Sequence, residues 1–193
     1  MSKKSSIQDE LYRVTSKFSD TWISFLLFLY AFSLRFAFRS AGLLHFDSVI
    51  YANLGELTFQ TMSLHYAHFP GHPGIVLINA AFYGLMQLFG FGSEFTTIFV
   101  SVFFGALAAP MIYLICIRIG FPRIYALYAG IIMTVFPLQW SLSEYLPTDV
   151  ESFFFLLAAF YFAMKTGKCS LYLSSFLFMF SAVQIGSSCL FSI

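Results

Sequence analysis

Long apolar stretches separated by short polar segments set the pattern of this chain. The stretches lack the ten-residue alternation of apolar and polar positions that marks strands of a membrane β-barrel. A helix needs about 20 residues to cross the hydrocarbon of a bilayer, and most of the stretches approach that length. The pattern therefore predicts an all-α polytopic membrane protein. The stretches are residues 22–38, 74–90, 95–117, 124–142, 153–164 and 170–193.

The composition excludes most soluble classes. The 193 residues are 59% hydrophobic and only 10% charged, and 27 of them are phenylalanine. A soluble domain carries about 25% charged residues. The net charge of +1 also argues against nucleic acid as a partner. The lipid bilayer is the partner that this composition indicates, and it requires spanning backbone to form helices or a closed barrel.

Basic residues indicate which side of the membrane each loop faces, because Lys and Arg prefer the cytoplasm. Six spans would leave Arg118, Arg123, Lys165 and Lys168 outside. If residues 74–90 instead lie along the outer surface, all four become cytoplasmic. The predicted order is then a cytoplasmic tail at 1–20, a first transmembrane helix at 21–39, an exoplasmic loop with two juxtamembrane helices at 40–94, and four further transmembrane helices at 95–193.

Asp47 lies just beyond the predicted first span, in the sequence His-Phe-Asp-Ser-Val-Ile-Tyr-Ala. Asp is a favoured N-cap residue, so Asp47 could simply begin a helix. A carboxylate at the lipid–water boundary could also take a proton from an acceptor hydroxyl. The two roles are compatible. Arg35 and Arg39, at the end of the first span, are expected to extend outward toward the same boundary.

All four histidines fall in the first outer loop. His65, His68 and His72 have a near-helical spacing that Pro70 interrupts. Three interpretations remain open: a metal site with His65 and His68 as weak candidates, hydrogen bonding to phosphate or sugar, and ordinary interfacial histidines. The sequence leaves open whether a divalent cation takes part. Pro73 is expected near the first turn of a helix.

A second group of acids follows the run at 124–142. Glu144, Asp149 and Glu151 lie at the outer ends of two predicted spans. Acids at this depth usually face a cavity or a partner, although a solvated loop with Asp149 as a helix cap is the alternative. Two acidic groups on one face of the membrane would form a polar cavity for a cation, a phosphate-bound metal or a sugar.

These motifs, in this order, resemble the membrane glycosyltransferases of the GT-C fold, in particular protein O-mannosyltransferases and the aminoarabinose transferases of lipid A. The resemblance covers roughly residues 20–165. It rests on short motifs whose order and spacing match: Asp47-Ser48-Val49-Ile50-Tyr51-Ala52, His72-Pro73-Gly74, Phe136-Pro137 and Pro147-Thr148-Asp149.

The resemblance implies transfer of a sugar from a polyprenyl-phosphate carrier to a protein or lipid acceptor at the outer or lumenal face, with inversion. By position, Asp47 would be the catalytic base and Asp149 a second acid in the site. The substrate-binding residues implied with them are Glu144, His72 and Tyr51, with Arg35 and Arg39 as candidates to neutralise the lipid phosphate.

Two departures from the family pattern keep an alternative open. Ser48 stands where the family usually has Glu. The predicted spans are also fewer than the family's, so only an N-terminal module is expected here, and a partner polypeptide could supply the missing helices. The alternative is a non-catalytic membrane subunit or a transporter fragment. A bacterial or archaeal plasma membrane is expected rather than the endoplasmic reticulum.

Overall fold

A computed structural model describes residues 18–43, 45–65, 72–145, 147–165 and 167–185, without the side chains of 142–145, 147–148 and 182–185. Within these residues the chain is all-helical, with eight helices and no strand. The helices are α1 (Asp20–Ala37), α2 (Phe46–Thr61), α3 (Pro73–Gln87), α4 (Ser93–Arg118), α5 (Arg123–Thr134), α6 (Pro137–Tyr145), α7 (Pro147–Ala163) and α8 (Lys168–Ile185).

Two helices in the described part of the chain are long and apolar enough to cross a membrane. They are α1, with 18 residues, and α4, with 26 residues. The five predicted spans are thus supported only in part. The helices α3 and α5 are apolar but shorter. For α3, the short length agrees with its predicted place in the outer loop, which stays a prediction.

The two long helices pack against each other through phenylalanine rings spaced four residues apart. Residues at i and i+4 share one helix face, so α1 and α4 each present a row of rings. The rows meet in antiparallel order, with ring centroids 5.6–6.4 Å apart. The pairs are Phe28 with Phe103, Phe32 with Phe99, and Phe36 with Phe95. This ladder fixes the register of the bundle's central pair.

One end of the bundle is closed by a charged junction. The Tyr113 hydroxyl donates a hydrogen bond to Asp20 Oδ1 at 2.6 Å, and Arg123 lies 2.8 Å from the same oxygen. Asp20 begins α1, and Arg123 begins α5. The start of α1, the start of α5 and the last part of α4 therefore meet at one end. The end of α1 and the start of α4 lie together at the other end.

The helices α2 and α3 pack side by side and run in the same direction. Their close approach depends on Gly55, because a Cβ there would lie 2.7 Å from Asn79 Cβ. Glu56 then ties α2 to its neighbours. It accepts hydrogen bonds from the Tyr83 hydroxyl at 3.0 Å and from Ser93 Oγ at 2.6 Å. These contacts hold α2 against both α3 and the start of α4.

The run predicted as one span at 124–142 is broken into α5 and α6. Proline has no backbone N–H and clashes with the preceding turn, so Pro137 starts a new helix instead of continuing α5. The break leaves carbonyl groups at the end of α5 without helical partners. Arg35 donates a hydrogen bond to one of them, the Thr134 carbonyl, at 3.0 Å. The prediction that Arg35 extends outward is therefore wrong: its side chain turns into the bundle and is 2% exposed.

Candidate active site

Asp47 lies in the first turn of α2, one residue inside the helix start. The N-cap residue is His45, whose Nδ1 accepts a hydrogen bond from the Asp47 backbone N–H at 3.3 Å. The prediction that Asp47 itself caps the helix is therefore wrong, because the neighbouring imidazole satisfies that N–H. The Asp47 side chain is 42% exposed, and its Oδ2 lies 3.8 Å from His45 Nδ1. The carboxylate is accessible and has an imidazole beside it.

Tyr51 follows Asp47 by one helical turn and points into the protein. Its side chain is buried, and its ring meets the His72 ring edge to face, with centroids 5.8 Å apart. Burial and the nearby charge of Asp47 raise the pKa of Tyr51 to about 12. Tyr51 therefore stays a neutral phenol across the physiological range, available as a hydrogen-bond donor.

His72 lies between Tyr51 of α2 and Asp149 of α7. It is the N-cap residue of α3, and Pro73 occupies the first turn as predicted. His72 makes no side-chain capping bond, and its buried Nδ1 has no hydrogen-bond partner in the described part of the chain. The ring is close enough to Asp149 for its charge to act on that carboxyl group.

Asp149 belongs to the first turn of α7, ahead of the apolar part of that helix, which begins at Phe153. Partial burial raises the pKa of the Asp149 carboxyl group above its usual range, and a charge on His72 opposes that rise. Pairwise interactions thus link two carboxylates, a phenol and an imidazole from three helices, in the order Asp47, Tyr51, His72 and Asp149. We refer to Asp47, Tyr51, His72 and Asp149 as the Asp47 cluster.

An apolar cavity of about 320 Å³ lies beside Asp149, between α7 and the broken helix pair α5 and α6. Gln139 and Asp149 are its polar lining residues, and the other walls are hydrocarbon and aromatic. A long apolar chain with a polar head matches this lining. The remaining lining residues are Met133, Phe136, Leu138, Val150, Phe153 and Leu156.

The two arginines predicted to neutralise a phosphate occupy different environments. Arg35 is buried and donates to Thr134 O and to Gln139 Oε1, with its guanidinium 5.3 Å from the centre of the Trp140 ring. Arg39 is exposed at the end of α1, where it donates to the Phe36 carbonyl at 2.9 Å and stacks on the Phe36 ring. Arg35 reaches the cavity lining through Gln139, whereas Arg39 lies beside a separate surface pocket.

The remaining predicted residues are His65, His68 and Glu144, and of these the structure describes only the His65 side chain. His65 lies just after the end of α2, where its Nε2 is 2.8 Å from Thr61 Oγ1. His68 and the Glu144 side chain lie outside the described residues. Across the described residues, no three His, Cys, Asp or Glu side chains converge into a group that could hold a metal ion.

Sequence reasoning missed two polar residues that organise this region. Gln139 links Arg35 to the Gly105 carbonyl, and Glu56 anchors α2. A signal was present for Gln139, which is a lone amide inside an apolar run, at a depth where polar groups require partners. Glu56 has no comparable signal, because acids are common in helices that mix polar and apolar residues, as this predicted interfacial helix does.

Comparison with known proteins adds evidence independent of this geometry. The family model for dolichyl-phosphate-mannose-protein mannosyltransferase matches residues 79–193, which is more than half of the chain. No curated protein and no solved structure matched the chain. The matched segment includes Gln139 and Asp149, and two membrane-capable helices accompany it. The chain therefore belongs to the dolichyl-phosphate-mannose-protein mannosyltransferase family, a family of membrane glycosyltransferases.

Proposed function

We propose that this protein transfers a glycosyl group from a polyprenyl-phosphate-linked sugar to a hydroxyl acceptor on a protein or lipid, at the outer face of the membrane. The chain would act as the N-terminal module of a polytopic GT-C-like enzyme. Family membership supports the reaction class. The observation that supports the residue assignment is a series of neighbours: the charge of the accessible Asp47 acts on Tyr51, the Tyr51 ring meets the His72 ring, and the charge of His72 acts on Asp149.

In this proposal Asp47 is the catalytic base. Its exposed carboxylate would take the proton of the acceptor hydroxyl as the oxygen attacks the anomeric carbon. The bond from that carbon to the phosphate oxygen breaks, so the configuration inverts and the polyprenyl phosphate leaves. Tyr51 and His72 would hold the sugar or the acceptor by hydrogen bonds, because both rings face the same cluster.

The cavity beside Asp149 would receive the first isoprene units of the carrier. Its walls are almost wholly apolar, and we assign Asp149, one of its two polar lining residues, to the polar head of the carrier. Arg35, which donates a hydrogen bond to the lining residue Gln139, is the basic group that we assign to the carrier phosphate. A guanidinium suits this task because its N–H groups match two phosphate oxygens.

The test is a transfer assay with the full chain in phosphatidylcholine proteoliposomes, using dolichyl-phosphate mannose and a Ser/Thr-containing peptide. Asp47→Asn should reduce turnover by at least about 100-fold, because general bases contribute 10²–10⁴-fold. Donor binding should stay near the wild-type level. Asp20→Asn is the control, because it makes the same chemical change at the start of α1, away from the Asp47 cluster. It should leave turnover per folded molecule unchanged. Undiminished transfer by Asp47→Asn would reject Asp47 as the base.

The alternative of a non-catalytic subunit predicts a different result in the same assay. A wild-type chain that binds dolichyl-phosphate mannose but transfers nothing, with or without Asp47, would support that alternative. A chain that neither binds nor transfers would reject the proposed donor class.

A further inference from the structure

Gln139 occupies a junction between the buried arginine and the apolar cavity. Its Oε1 accepts a hydrogen bond from Arg35 Nη2, and its Nε2 donates to the Gly105 carbonyl at 3.1 Å. The side chain is 5% exposed, so both ends of the amide are satisfied inside the protein. Gln139 is also a lining residue of the cavity beside Asp149. One amide group thus stands between the guanidinium and the cavity.

Two hydrogen bonds and one ring contact of Arg35 are with neutral groups. They are the Thr134 carbonyl, the Gln139 amide oxygen and the face of the Trp140 ring. A phosphate monoester or diester carries negative charge, and hydrogen bonds to ionised acceptors are roughly twice as strong as those to neutral ones. A phosphate that reached Gln139 at the cavity lining would therefore compete well with the Gln139 oxygen for the hydrogen bond from Arg35 Nη2.

We propose that Gln139 is a positioning residue that holds Arg35 in place before the donor binds and gives up that position to the phosphate of a polyprenyl phosphate. The inference rests on the proposed function and deepens it. On binding, a phosphate oxygen replaces Gln139 Oε1 on Arg35 Nη2, while Gln139 Nε2 keeps its bond to Gly105. The Thr134 carbonyl keeps its hydrogen bond from Arg35 and so holds the guanidinium in the same orientation.

The proposal predicts opposite effects for two substitutions of similar size. Gln139→Met removes the competing oxygen, so polyprenyl phosphate should bind about fivefold more tightly, the equivalent of one neutral hydrogen bond. Gln139→Glu places a permanent carboxylate on Arg35, so binding should weaken by at least about tenfold. A purely structural role for Gln139 predicts weaker binding in both variants.

The experiment measures equilibrium binding of dolichyl phosphate to the full chain in phosphatidylcholine nanodiscs, whose neutral surface adds no competing charge. Gln87→Met and Gln87→Glu are the matched controls, because Gln87 is exposed at the end of α3 and does not line the cavity. Both controls should bind as the wild type does. Thermal unfolding of each variant reports whether the fold is retained.

Opposite shifts for Gln139→Met and Gln139→Glu support the proposal. Shifts in the same direction, or no shift in either, overturn it while leaving the proposed function intact. If Gln139→Met does not fold, Gln139→Glu alone decides. A Gln139→Glu protein that binds dolichyl phosphate as tightly as the wild type, or more tightly, contradicts the proposed exchange of Gln139 for phosphate. A wild type that binds no dolichyl phosphate rejects both this inference and the proposed donor.

Discussion

The contact between α2 and α3 at Gly55 gives the sharpest test of how the Asp47 cluster is built. Gly55 lies two turns after Asp47 on the same helix. A Cβ at this position would be 2.7 Å from Asn79 Cβ and 3.3 Å from the Ala80 backbone nitrogen, whereas ordinary contact begins at 3.4 Å. Neither neighbour is the tip of a flexible side chain. Gly55→Ala therefore forces the two helices apart.

Two opposing terms set the size of the effect. Replacing Gly by Ala inside a helix stabilises it by up to about 1 kcal/mol. Overpacking against a fixed neighbour costs about 1–3 kcal/mol. The net expectation is a loss of about 1 kcal/mol, or a decrease in Tm of roughly 2–4 °C for a chain of this size. Sugar transfer should fall further, by up to about 100-fold, because a displacement near 1 Å moves Asp47 relative to His72.

Thermal unfolding in detergent and the peptide transfer assay measure the two effects of Gly55→Ala. Gly92→Ser is the control, since Gly92 is the extended N-cap residue of α4 and a Cβ there meets nothing within 4 Å. Serine is a favoured N-cap residue, so this variant should match or exceed the wild type in stability. A Gly55→Ala protein as stable and as active as the wild type would refute the close α2–α3 contact.

Two further predictions concern Glu56, which lies on the same helix as Asp47, and Asp149, which belongs to the Asp47 cluster. Glu56→Gln keeps the side-chain shape but removes the charge that strengthens the hydrogen bonds from Tyr83 and Ser93. The free energy of unfolding should therefore fall by about 1 kcal/mol. An unchanged Tm would contradict the role of Glu56 in holding α2 in place. Asp149→Asn should have the opposite effect on stability. The pKa of Asp149 is raised by folding, so the unfolded chain loses this proton at lower pH, and wild-type stability falls as pH rises from the usual aspartate pKa through the raised one. Asp149→Asn should therefore be more stable than the wild type above that window and equal to it at lower pH, while transfer declines; equal stability at every pH would contradict the burial cost.

A local sequence signal predicted where α3 begins. Pro73 stands in its first turn, as expected from a fixed φ and a missing N–H that the first turn does not need. The apolar run at 95–117 became the long helix α4. These features depend on neighbours within a few residues, which is the range over which sequence pattern carries information.

The connections between helices could not be predicted in this way. Arg35 bonds to Thr134 and Gln139, about a hundred positions later, and no local periodicity indicates that pairing. The predicted orientation of Arg35 is wrong for the same reason, since a cation near a helix end ordinarily extends to water. It turns inward here because Pro137 breaks the predicted span and leaves the Thr134 carbonyl group to be satisfied.

The arrangement of the candidate site depends on where buried polar groups were placed. In lipid the hydrophobic effect does not distinguish one apolar helix face from another, so packing and interhelical hydrogen bonds determine which faces meet. Glu56 fixes α2 against α3 and the start of α4, and Gln139 fixes α6 against α4 and Arg35. Asp47 lies on the first of these helices, and Asp149 follows the second. The two acids of the proposed site are thus held by polar contacts of residues outside the Asp47 cluster, so substitutions of Glu56 or Gln139 should disturb transfer without altering any group that we assign to the sugar.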